Sequence, residues 1–253
     1  MILGAQSYTF RSLCQTEQDL RTSMRRVADI GYTAVQLSGI GTFPPELLRE
    51  VCDKNGLRIV LTHTSPERIL HDTENVIREH DVLGCRYIGI GIMPECYRAD
   101  GRVSRFVQDF ITPARKIADS GKLLMYHNHN LEWEHIGRHT TVLDVLLEGM
   151  PADCLGITLD TYWVQAAGAD IITTLERLAD RIHCVHLKDM AVQGFTQRFA
   201  PVGEGNIDFA RVLATLKRLG TTEYMLVEQD DCYGEDPFAC LRCSYDNVKE
   251  MGY

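Results

Sequence analysis

Eight short, apolar, β-rich runs recur along the chain, at residues 2–9, 33–38, 58–64, 87–93, 122–128, 155–162, 182–188 and 223–229. Segments with a 3.6-residue apolar period lie between them, so strands alternate with helices. The first such segment, TEQDLRTSMRRVADIG, carries a capping candidate in Thr16, acidic residues in its first turn and Gly31 as a stop. The same grammar marks PPELLREVCDKNG, the stretch from about 67 to 83, VSRFVQDFITPARKIADSG, TTVLDVLLEGM, 170–180, DFARVLATLKRLG and the C-terminal segment. Pro113 removes a backbone donor and should kink or interrupt the fourth of these helices. Strand–helix alternation over short loops calls for a parallel sheet, and eight units favour closure over an open sheet. No G-x-G-x-x-G follows the first run, which removes the main support for a dinucleotide-binding fold. The expectation is a (β/α)8 TIM barrel, one domain over residues 1–253, a length typical of such barrels.

Charge and cysteine usage narrow the partners. With 26 basic and 35 acidic residues the net charge is -9, which repels polyanions, and no basic run offsets it. Nucleic acid is therefore not expected. The opening MILGAQSYTFRSL lacks a basic n-region before a long apolar stretch, and no segment reaches the roughly 18 apolar residues of a membrane span. A cytoplasmic protein with no membrane partner is expected. Nine cysteines at irregular spacings do not form a disulfide framework. Cys240 and Cys243 make a C-x-x-C pair inside the helical DPFACLRCSYDNVKEM, without the second pair a zinc site needs. They read as reduced thiols packed as small apolar groups.

In such a barrel, alternate strand residues point inward and active sites form at the C-terminal strand ends. Gly156, Thr158, Asp160 and Tyr162 share one parity in the sixth run, and Cys184, His186 and Lys188 share one in the seventh. Tyr224, Leu226 and Glu228 do so in the eighth, while Met125, His127 and His129 do so in the fifth, with Glu132 just beyond. Taken singly, Asp160 reads equally well as a helix cap, and His186 as a hydrogen-bonded core histidine. Glu228 is harder to explain away, because a carboxylate behind Met-Leu-Val is costly to bury unless paired or metal-bound. Three ligating groups at matching depth point to a divalent ion; carboxylates with an imidazole suit Mn²⁺, with Mg²⁺, Co²⁺ or Zn²⁺ as the other choices.

The segments YHNHNLEW, LDTYW, VHLKDM, PVGEGNIDF and LVEQD, in that order, resemble the sugar phosphate isomerase/epimerase family of xylose isomerase-like barrels. Within it they are most similar to a YHNH-containing branch related to inosose dehydratases and keto-sugar lyases or epimerases. The resemblance spans nearly the whole chain. It implies a Mn²⁺-type site with Asp160, His186 and Glu228 as ligands. Ketose 3-epimerases carry the fourth ligand as a glutamate within the fifth strand, where this chain reads LLMYHNH. That ligand then falls to Glu132, favoured for its reach from the loop, or to one of the histidines His129 and His127.

A divalent ion that chelates a carbonyl and an adjacent hydroxyl stabilises the enediolate left when an α-proton is removed. Return of the proton elsewhere gives isomerisation or epimerisation, and departure of a β-leaving group gives elimination. Glu132 and Glu228 are the candidate bases, with His127 or His129 in reserve if both glutamates ligate. His63 is the candidate for a substrate hydroxyl; Trp163 and Tyr8 offer faces to a sugar ring. Lys188, and Arg198 in the long loop 189–206, are candidates for holding an anionic or polyhydroxylated substrate. The GEG at 203–205 reads as a turn into the next helix rather than a phosphate loop. The leading expectation is a metal-dependent isomerase or epimerase acting on a sugar or keto-sugar. A lyase or dehydratase acting on an inosose or 3-keto-glycoside comes next. An inactive ligand-binding or partner subunit remains open, as does a homo-oligomer; an endonuclease of the related DNA-repair branch is disfavoured by the acidic charge and the shortage of strand-end histidines.

Overall fold

Each of the eight apolar runs forms a parallel strand in the computed structural model, which describes residues 1–98 and 102–253. The strands are shorter than their sequence signal because the last polar residues of most runs turn out of the ladder toward the barrel mouth. They are β1 (Ile2–Gln6), β2 (Ala34–Leu37), β3 (Arg58–His63), β4 (Tyr87–Ile90), β5 (Leu123–His127), β6 (Leu155–Asp160), β7 (Cys184–Leu187) and β10 (Tyr224–Val227). Neighbours pair in the order β1-β10-β7-β6-β5-β4-β3-β2, and β1 pairs with both β2 and β10, closing the barrel.

Two apolar layers result from the period-2 alternation. Ala34, Val60, Leu61, Tyr87, Leu123, Met125, Cys184 and Leu226 fill the barrel interior. The opposite parity, with Val35, Ile88, Leu124, Ile157, Val185 and Val227, packs against the helices. Above the interior plug the inward residues become polar: Gln6, Gln36, Thr158 and His186 are all buried. The apolar plug therefore ends at the level where a polar site begins.

The helices follow the sequence grammar with two departures. In α1 (Glu17–Ile30), Thr16 Oγ1 accepts a hydrogen bond from Asp19 N at 3.2 Å and Gly31 terminates the helix at φ 120°. The stretch 67–83 splits into α3 (Pro66–His71) and α4 (Thr73–Leu83) at Asp72. The helix expected to kink or break at Pro113 is not interrupted there and runs as α5 (Val103–Asp119). Proline costs a helix interior about 3 kcal/mol. Here Pro113 lies on the buried stripe with Phe106, Phe110, Ala114 and Ile117, and burying each large side chain contributes ~1.5–3 kcal/mol. Packing outweighs the lost hydrogen bond.

The long loop 189–206 contains an antiparallel hairpin, β8 (Asp189–Gln193) with β9 (Thr196–Ala200). Beyond it, the buried Asp189 carboxylate accepts hydrogen bonds from the backbone N–H groups of Met190, Gly203, Gly205 and Ile207 at 2.7–3.2 Å. A Cβ on Gly205 would stand 2.3 Å from Asp189 Oδ1. The GEG turn thus wraps a carboxylate of its own chain. α9 (Phe209–Leu219), β10 and α10 (Pro237–Glu250) complete the barrel, and all nine cysteines are free thiols. Among the described residues, no helix is long and apolar enough to cross a membrane.

Candidate metal centre

Parallel register brings the ends of β5, β6, β7 and β10 to one height: Asp160 pairs with His186, and His186 with Leu226, two residues before Glu228. His127, Asp160, His186 and Glu228 each present one ligand atom, and these atoms all lie within 4.8 Å of one another. Metal–ligand bonds of about 2.0–2.2 Å put opposite ligand atoms up to ~4.4 Å apart, so the set needs only a small contraction to hold one ion. His186 Nδ1 approaches Glu228 Oε2 to 2.8 Å without hydrogen-bond geometry, and the same Glu228 oxygen lies 3.0 Å from Lys188 Nζ. His127 Nε2 lies 3.2 Å from Asp160 Oδ2, and His186 Nδ1 lies 3.8 Å from the same oxygen.

The groups behind these side chains set which lone pair is free. His127 Nδ1 lies 2.8 Å from Gly91 O; a carbonyl only accepts, so Nδ1 carries the proton and Nε2 faces the cluster. His186 Nε2 lies 2.7 Å from Gln36 Oε1, which leaves Nδ1 to face Glu228 and Asp160. The Asp160 oxygens divide two roles: Oδ1 caps α7 (Thr161–Ala166) by accepting from Trp163 N at 3.1 Å, while Oδ2 faces the cluster. Cap and candidate ligand are the same residue. Asn128 Oδ1 accepts from Asp160 N at 2.9 Å and fixes the β6 end against the turn after β5.

A buried ammonium sits beside the four. Lys188 Nζ lies 3.1 Å from Asp160 Oδ2, 3.0 Å from Glu228 Oε2 and 2.8 Å from Asp230 Oδ1. Burial opposes ionisation of every one of these groups, but mutual attraction overrides it at most of them. The Lys188 ammonium holds the carboxyls of Asp160 and Glu228 far below the usual carboxylate range, and they hold Lys188 well above the usual lysine value. Burial would depress His186, yet the charges of Glu228 and Asp160 lift it to about 9. Asp230 rises to about 6 through burial and the negative charge of Glu228. Burial and the neighbouring imidazoles depress both His63 and His129, His129 to about 3.

The remaining sequence candidates divide sharply. Glu132, expected to reach back as the fourth ligand and as a base, is fully buried and turned away. Its Oε1 accepts from Tyr126 Oη at 2.5 Å and its Oε2 from His129 N at 2.7 Å. The short turn at Leu131–Trp133 points its side chain outward behind β5, and His127 takes the place it was expected to fill. Arg198 does not reach the site either: it bonds Gln193 Oε1 at 2.7 Å and lies 4.0 Å over the Tyr233 ring, on the hairpin's far side. Trp163 packs at 5.1 Å on His129 and 5.6 Å from Lys188 Nζ, forming a wall behind them. Tyr8, His63, His127, His129, Lys188 and Glu228 line a common pocket of about 240 Å³. Asp230, Ser38 and Gly91 line it too, and these, with Gln36, were not singled out from sequence. The available signals were Gln36, a polar residue inside the apolar run TAVQLS, and Asp230, which continues the parity of Leu226 and Glu228 at the end of LVEQD; nothing in the local sequence marks the others.

Residues 24–239 match the family described as xylose isomerase-like TIM barrel. A sugar phosphate isomerase/epimerase from Parabacteroides distasonis superposes with a TM-score of 0.82 at 20% identity, covering 98% of this chain and 93% of that one. D-allulose 3-epimerase from Methylomonas sp. gives 0.70 at 15% identity, over 99% and 98% of the chains. A probable 3-DHS dehydratase from Bacillus anthracis gives 0.73 at 13%, over 98% and 99%. No curated protein sequence matches. Since the family match covers most of the chain and the barrel is the one that family has, this protein belongs to the xylose isomerase-like TIM barrel family.

Proposed function

We propose that this protein is a divalent-metal-dependent isomerase or epimerase of a sugar or keto-sugar. The observation that carries the reading is the convergence of His127, Asp160, His186 and Glu228 at the barrel mouth, four buried side chains each presenting a ligand atom within 4.8 Å of the others. The donor set of two imidazoles and two carboxylates fits Mn²⁺ or a neighbouring first-row ion. Bound there, such an ion supplies Lewis acidity toward a carbonyl and an adjacent hydroxyl oxygen. The protein's own groups do the rest. Lys188 lines the pocket as a fixed cation and donates to an oxygen that gains negative charge. His129 and Asp230 line it outside the donor set and are the candidate proton acceptors. Nine free thiols fit a reducing, cytoplasmic setting.

A lyase or dehydratase is the second reading, favoured by one feature: Glu132 is turned away, so the two-glutamate exchange of an epimerase lacks a partner for Glu228. The groups outside the donor set are the imidazoles of His63 and His129 and the Lys188–Asp230 pair, which suit removal of one proton and protonation of a leaving group. Elemental analysis of purified protein should find about one first-row ion per chain, and none in Asp160→Ala. Incubation of ketoses and 3-keto-glucosides in D₂O should exchange the C–H next to the carbonyl, with recovered isomer or eliminated product separating the two readings by NMR. Absence of an ion, with no thermal stabilisation by added Mn²⁺, would overturn both.

A further inference from the structure

The pocket above the four convergent groups is small for a complete ligand. At about 240 Å³ it falls below the roughly 300 Å³ at which drug-sized pockets begin, and so fits one sugar ring. A second, larger cleft of about 470 Å³ opens from its side between β3 and β4. His63, Gly91 and Ile92 line both, so the two are adjacent. The cleft's deeper lining is apolar: Pro66, Leu70, Ile92, Pro94 and Tyr97. Ile92 is 41% exposed, an uncovered branched side chain at the junction. Among its described lining residues the cleft has no Lys or Arg and one acid, Glu67, so it offers a phosphate ester no cation.

His63 stands at the opening between the two spaces, and the fold holds it there. Ser38 Oγ lies 2.9 Å from His63 Nδ1, and Ser38 is in turn fixed by Ser7, whose Oγ bonds both its N and its O at 2.8 Å. A Cβ on Gly91 would meet His63 Nδ1 at 2.8 Å, so glycine makes room for the ring. His63 Nε2 is cut off from solvent and has no partner. It is a buried polar atom waiting for one at the junction.

We propose that the cleft is a subsite for an apolar substituent on the sugar, and that the substrate is therefore a glycoside with an apolar aglycone. His63 Nε2 meets the oxygen that joins ring to aglycone. This rests on the reading of the inner pocket as a sugar site. The test uses the Mn²⁺-loaded protein and unreactive probes, the methyl and phenyl glucosides of both anomers, by isothermal titration calorimetry. Burying a phenyl ring in place of a methyl group should tighten binding about tenfold or more for one anomer. In Leu70→Ser and Ile92→Ser the ratio should fall below about threefold. A wild-type ratio near one, no binding of either probe, or a ratio unchanged in both variants overturns the proposal. Because the wild-type ratio alone decides whether a subsite exists, a variant that misfolds hides nothing. Proton exchange from 3-keto-glucosides in D₂O reports separately on the inner site: exchange with a ratio near one removes only the subsite, and a tenfold ratio without exchange removes only the metal-assisted chemistry.

Discussion

Replacing Lys188 by methionine removes the ammonium that lies within 3.1 Å of Asp160, Glu228 and Asp230. The lysine side chain is 1% exposed and those of Asp160 and Glu228 are 0% and 4%, so solvent cannot take its place. At 3 Å and an effective dielectric of 20, each contact is worth about 5 kcal/mol before desolvation. Desolvation of the ammonium offsets much of that, and measured losses on breaking a buried pair are ~3–5 kcal/mol. For a chain of this length the loss corresponds to a fall in Tm of roughly 6–20 °C. The carboxylates in question are also proposed ligands, so a divalent ion should restore what the lysine supplied. Metal-free wild type and Lys188→Met are compared by chemical denaturation, then titrated with Mn²⁺. Wild type should gain about 2.7 kcal/mol at an ion concentration 100 times its Kd, and the variant more. A variant within about 1 kcal/mol of wild type without metal would refute the buried network. Equal gains in both proteins would refute the sharing of carboxylates between lysine and ion.

Glu132 gives a pH signature. Burial lifts its carboxyl from 4.5 to about 7, so the folded state binds a proton that the unfolded state has lost. Its contribution is fully present below pH 4.5 and is lost as pH rises through 7, by about 3 kcal/mol in all. Denaturation curves of wild type and Glu132→Gln from pH 4.5 to 8 should diverge in the variant's favour as pH rises; a constant difference would show that Glu132 stays ionised. His127→Ala should lose the bound ion on elemental analysis, while Glu132→Gln keeps it, and the reverse outcome would restore the glutamate as the ligand. Arg198→Ala should leave turnover within about twofold of wild type, since its guanidinium stacks on Tyr233 away from the pocket.

Period and composition made the architecture legible: eight apolar runs with helical segments between them leave a closed parallel barrel as the economical solution. Inward parity was equally legible for Asp160, His186 and Glu228, because a strand's side chains alternate whatever their partners are. The same rule put His127 inward, but the glutamate pattern of the ketose 3-epimerases drew attention to Glu132, whose direction depends on a turn rather than a strand. Once the chain leaves β5, backbone dihedrals are set by tertiary contacts: Tyr126 Oη and His129 N decide where that carboxylate goes. Pro113 did not interrupt α5 for a related reason, since local propensity gave way to burial of the α5 stripe.

The sequence by itself determined the barrel, its eight strands and three of the four convergent groups, because these follow from periodicities that act within each segment. Only the tertiary structure decided the fourth group, the place of Lys188 among three carboxylates, and the cleft beside His63. Those depend on register between strands and on the course of loops, where residues distant in sequence meet and no local pattern records the distance between them.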